Sequence, residues 1–96
     1  MKIEVVSLRL VDTGRSLQGF ADVKIGDFLI RDFRIMQNGG RAYIRAPFST
    51  YKNNAGEIQF RQIVDLPDEV RGQVDTLILS AFYRENKEKQ NAGSKQ

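Results

Sequence analysis

Apolar and polar positions alternate along the chain as far as Val64 and then change period. Ile3 to Leu10 is rich in β-branched and aliphatic residues, with Val6, Leu8 and Leu10 on one parity and Ser7 and Arg9 on the other, which predicts a strand. Asp12-Thr13-Gly14-Arg15-Ser16 reads as a turn. Leu17 to Ile25 predicts a second strand, with Leu17, Gly19, Ala21, Val23 and Ile25 facing a core and Gln18, Asp22 and Lys24 facing away; Phe20 breaks the pattern. Small residues on that inner face imply that something bulky packs against it. Gly26-Asp27 fits a tight hairpin into a third strand, Phe28 to Met36. There Phe28 and Ile30 share one parity while Phe33 and Ile35 share the other, so either a β-bulge at Arg31-Asp32 or burial on both faces is expected.

Asn38-Gly39-Gly40 supplies the positive-φ positions of a second hairpin turn into a short strand from Ala42 to Ala46, which Pro47 ends or marks as an edge. Phe48 to Gly56 is expected to be a loop, from Ser49, Thr50, Asn53, Asn54 and Gly56. A further strand resumes from Glu57 to Val64. At Asp65-Leu66-Pro67-Asp68-Glu69 the period changes: proline and two acids mark a helix start. Val70, Val74, Leu77, Ile78, Ala81 and Phe82 then form one apolar stripe, expected to close over the sheet where Gly19 and Ala21 leave room. The helix is expected to fray after Tyr83, and residues 86–96 to be a polar, disordered tail. The expectation is an α+β fold: a small antiparallel sheet of about five strands, with one C-terminal amphipathic helix packed on a face, in a single domain over residues 1–85.

The chain has 96 residues, 41% of them hydrophobic, enough for one modest core. It contains no cysteine and no histidine, which removes thiol chemistry, the commonest general base and the commonest transition-metal ligand. No enzyme activity, catalytic residue, cofactor, metal or small-molecule substrate is expected. Asp22, Asp27 and Asp32 lie near one hairpin but are better read as ordinary surface carboxylates than as a cation site. No Gly-rich phosphate-binding pattern occurs around Gly39-Gly40. Met1-Lys2-Ile3-Glu4 has no leader-like apolar run, and no stretch approaches a membrane span, so a cytoplasmic protein without a membrane partner is expected.

The formal net charge of +3 is unevenly spread. Residues 31–61 hold Arg31, Arg34, Arg41, Arg45, Lys52 and Arg61 against only Asp32 and Glu57, whereas residues 62–80 hold Arg71 against Asp65, Asp68, Glu69 and Asp75. A polyanion would be drawn to the middle of the chain and repelled from the helix start. Arg9, Arg31, Arg34, Arg45 and Arg61 fall mostly between apolar neighbours on predicted strands, so several should emerge on the face opposite the helix. Two readings stand there. The arginines contact phosphates and stack on bases, with Tyr43, Tyr51 and Phe48 as nearby aromatic surfaces, or they pair across the sheet with Asp22, Asp32 and Glu57.

The order Asp32-Phe33-Arg34-Ile35, Asn38-Gly39-Gly40, Pro47, Gly56-Glu57, Phe60-Arg61-Gln62-Ile63 and Arg71-Gly72, after the opening Val6-Ser7-Leu8-Arg9-Leu10-Val11, resembles the stage V sporulation protein G family of SpoVG-like septation regulators. The resemblance spans roughly residues 3–84. It implies a small sheet with a C-terminal helix, a homodimer, and a regulator that binds DNA and, in some members, RNA. Arg61 and Arg71 match the family pattern, and Lys52 supplies basic character in the loop; Arg45 and Arg34 would extend that patch, with Tyr51 as a stacking group. The chain departs from the family after Pro47, where Phe48-Ser49-Thr50-Tyr51-Lys52 carries one lysine in place of a basic pair, and at Asp65-Leu66-Pro67 and Gln73, where positive charge is lost. The alternative from another class is a protein-interaction module that pairs through an exposed strand edge near Pro47 or the first strand, without nucleic acid.

Overall fold

The computed structural model describes residues 1–94, with side chains described through residue 86. Four strands, β1 (Ile3–Leu10), β2 (Leu17–Ile25), β3 (Phe28–Asn38) and β4 (Arg41–Arg45), form an antiparallel meander in chain order. β5 (Phe48–Lys52) and β6 (Ile58–Gln62) form a separate two-stranded hairpin, and α1 (Asp68–Ser94) completes an α+β fold. There are thus six strands in two sheets. The segment expected to be a loop after Pro47 is half strand: β5 takes Phe48 to Lys52, and only Asn53 to Glu57 turns. Asn53 closes that turn, its Oδ1 accepting from the N–H groups of Ala55 and Glu57, both at 2.9 Å.

The core lies between one face of the meander and α1. Ala21, Val23, Ile25, Phe33, Ile35, Ala42, Ile44 and Ala46 are buried there against Val74, Ile78 and Phe82. The three helical residues recur every fourth position, so they form one row along α1, and each fully buried apolar side chain contributes about 1.5–3 kcal/mol. Val70 and Leu79 flank this row, whereas Leu77 lies outside the core, 39% exposed, in a concavity shared with β1. α1 runs on to Ser94, past the point where fraying is expected. The tail expected over 86–96 extends to Lys95 and Gln96, which lie outside the described residues.

Bulges set which residues face the helix. Ala21 pairs with Phe33 and Val23 with Ile30, so Arg31 and Asp32 together oppose the single residue Asp22. This is the bulge, one of the two arrangements expected, and it keeps Ile30 on the face of Phe33 and Ile35, while Phe28 at the strand's start is 75% exposed. Asp32 adopts φ 67°, a left-handed conformation that aspartate tolerates better than most residues. A second bulge, not expected, sits opposite Asp22 on the other side: Val5 pairs with Val23 and Ser7 with Asp22, leaving Val6 without a partner. Val5 therefore joins Leu8 and Leu10 against the core, and Val6 is half exposed. Gly19 also has a different reason from the expected one. A Cβ there would come 2.6 Å from the Arg9 carbonyl oxygen, so the glycine admits the backbone of β1 rather than the helix. Between β3 and β4, Gly39 and Gly40 both have positive φ, as a two-residue hairpin turn of this hand requires.

Candidate functional site

The meander face away from α1 carries the charged chemistry, and register places it in a row. Arg9 pairs with Phe20, Phe20 with Arg34, and Arg34 with Arg45, one residue from each strand. The two ends of this row behave differently.

At the β1 end the arginine is neutralised. Arg9 donates to Asp22 through both terminal nitrogens, at 2.8 and 3.2 Å, and to Asp32 at 2.9 Å. Asp22 is only 3% exposed and also accepts the Asp32 N–H at 3.0 Å, with Arg31 at 3.6 Å. The Arg9 hydrogen bonds, helped by the Asp32 N–H and by the charges of Arg9 and Arg31, hold the Asp22 carboxyl below its ordinary range despite its desolvation. This network locks the bulge. It accounts for Arg9 and Arg31 as ion-pair partners across the sheet.

At the β4 end the arginines have no such partner. Arg34 and Arg45 sit directly opposite each other, and neither makes an ion pair with a carboxylate among the described residues. Like charges in facing positions are unfavourable. The aromatic base of the hairpin offsets this in part: the guanidinium carbons of Arg34 and Arg45 lie 4.2 and 4.5 Å from the Phe48 ring centroid. Phe60 packs edge-on against Phe48 at 5.6 Å and lies 5.8 Å from Arg45. Phe48 stands between two shallow concavities. One of about 270 Å³ is lined by Arg45, Ala46, Phe48, Phe60, Gln62 and Arg71; the other, of about 420 Å³, is lined by residues including Phe20, Arg31, Arg34, Phe48 and Ile63.

The remaining candidates separate. Lys52 shares the hairpin face of Phe48 by alternation but lies four residues further along β5, roughly 13 Å away. Tyr51 and Arg61 are exposed on the other hairpin face, Arg61 opposite Ser49 and Tyr51 opposite Gln59. Arg71, in the first turns of α1, donates to the Ile44 carbonyl at 2.7 Å and to Asp75 at 2.9 Å, tying the helix start to β4 while it borders the smaller concavity. Glu57 makes no ion pair with an arginine among the described residues; its side chain accepts from Asn53 at 3.2 Å.

Phe60 is the residue that sequence reasoning missed. Ile58 and Phe60 alternate with Gln59 and Arg61 as the residues of a half-buried strand do, yet both are 62% exposed. Among the described residues the hairpin has no second layer over it, so alternation there yields an apolar face without a core behind it. No protein-family model matches the chain, and no curated protein matches it.

Proposed function

We propose that this protein is a nucleic-acid-binding regulator of the SpoVG-like type, acting in septation or gene regulation in the cytoplasm, as its resemblance to that family implies. DNA is the expected ligand, with RNA as a second. The observation that carries the reading is the facing pair Arg34 and Arg45, held on Phe48 without a carboxylate partner among the described residues. Two adjacent guanidinium groups with free forked donors suit phosphate oxygens, and an incoming phosphate relieves their mutual repulsion. Lys52 extends the same hairpin face. Arg61 and Tyr51 serve the opposite face, and Arg71 acts mainly by holding the helix start in place. A homodimer, also implied by the resemblance, would present two such clusters to one polyanion.

Affinity from phosphates falls with salt, log K decreasing by about 0.9 per tenfold rise in salt for each phosphate neutralised on duplex DNA. Mobility shifts across a salt series should give a steep slope for the native protein. Replacing Arg34 and Arg45 together by alanine should weaken binding and reduce the slope by about 2. An unchanged slope in that double variant overturns the assignment.

A second reading is favoured by a different observation. Ile58, Phe60 and Ile63 are each 62% exposed on or beside the hairpin; among the described residues no second layer covers it, and no strand joins the outer edge of β1 either. A protein-interaction module would use such an edge. It predicts that a proline in the outer edge of β1 abolishes assembly with a partner chain, while removal of Arg34 and Arg45 changes nothing.

A further inference from the structure

Resting on that reading, we infer that the smaller concavity beside Phe48 receives one unstacked base of a single strand, so that the protein discriminates single-stranded from duplex nucleic acid. Three features of the site converge on this. Its volume, about 270 Å³, lies just below the range of pockets that enclose drug-sized ligands and suits one flat ring system. Its rim carries a largely exposed ring: Phe60 is 62% exposed, held at an angle of 61° against Phe48, with the Arg45 guanidinium 5.8 Å from its centroid. An exposed ring fixed by a second ring is a stacking platform that needs no reordering when a base arrives.

The third feature is charge placement. Arg45 belongs both to the concavity and, through Phe48, to the pair with Arg34. A base on Phe60 therefore leaves its own phosphate beside guanidinium donors. Gln62 also lines the concavity; it donates its amide to the Val64 carbonyl at 2.8 Å, and its Oε1 accepts no hydrogen bond among the described residues. In a duplex every base is stacked and paired, and no ring can reach Phe60 without unpairing. Backbone phosphates alone would use Arg34 and Arg45 and ignore the concavity.

The test uses the full chain with a short mixed-sequence DNA strand, the same strand annealed to its complement, and a strand of equal length and charge built from abasic sites. At one salt concentration the normal single strand should bind at least tenfold more tightly than both the duplex and the abasic strand. Phe60→Leu keeps the apolar bulk and removes the stacking face; it should weaken single-strand binding roughly five- to 150-fold and leave duplex binding unchanged. Phe60→Trp should retain or strengthen it. Equal binding of all three ligands, or a Phe60→Leu variant that melts like the native protein and binds the single strand equally well, overturns the inference while leaving the phosphate reading intact. Failure of every ligand to bind the native protein overturns both.

Discussion

Asp22 shows how one buried side chain organises the sheet. It lies where two bulges meet, and its carboxylate holds Arg9, Arg31 and the Asp32 N–H while Asp32 keeps φ 67°. Removing the charge leaves two arginines and a strained backbone with weaker support. Asp22→Asn should cost about 2 kcal/mol at neutral pH, toward the low end for a buried charged network because Arg9 remains 44% exposed and screened. The pH dependence has a definite sign. A carboxyl held below its unfolded value, about 3.9, contributes stability that is present above that value and is lost as pH falls through the lower, folded one. Urea unfolding of the native protein and Asp22→Asn should therefore differ clearly at pH 7 and converge under acid conditions below about pH 4. A gap of equal size in acid would show that the Asp22 charge does not stabilise the bulge.

At the scale of elements, α1 and the second hairpin turn were legible before the structure, and β5 and the bulge at Val6 were not. The stripe Val70, Val74, Ile78 and Phe82 repeats at helical spacing, and Asn38-Gly39-Gly40 permits little besides a turn, so local chemistry determines both. Ser49 and Thr50 carry loop-like chemistry locally; they become strand because β6 pairs with them, a non-local cause that alternation does not encode. Parity counting likewise fails at Val6, since a bulge shifts the pattern by one residue without changing composition. For the site, the sequence marked the arginines but could not divide them: Arg9 and Arg34 have similar surroundings in the chain and opposite fates across the sheet. Arg71 is the case where position reassigns a role. Its bond to the Ile44 carbonyl ties α1 to the end of β4, so Arg71→Ala should lower stability by about 1–2 kcal/mol and the melting temperature by roughly 5–15 °C. A direct phosphate contact predicts instead an unchanged melt and a salt slope smaller by about 1. Differential scanning fluorimetry beside a salt titration separates the two.

Across the whole molecule, stability and recognition occupy different parts. Every buried residue of the core comes from β2, β3, β4, the residue that follows β4 or α1, whereas β5 and β6 contribute none. The hairpin and the extended helix also make the molecule long for its size: its radius of gyration is 15.2 Å, against about 12.5 Å for a compact chain of this length. An isolated two-stranded hairpin is marginal by itself. This one is anchored at its base, where the Ile63 N–H donates to the Pro47 carbonyl at 3.1 Å and Phe48 lies against Arg34 and Arg45. That bond places the two hairpin ends close enough for a short glycine-containing turn to replace residues 48–62. The shortened chain should still unfold in a single cooperative step and retain its helical circular dichroism. It should melt only a few degrees lower, because the loss is confined to Phe48 packing and a few edge contacts. Nucleic-acid binding should fall far more steeply than stability, since Phe48, Phe60 and Lys52 leave together and Arg34 and Arg45 lose the ring that orients them. A shortened chain that no longer folds would mean that the hairpin stabilises the sheet, and its exposed apolar face would then need a structural explanation before a recognition one.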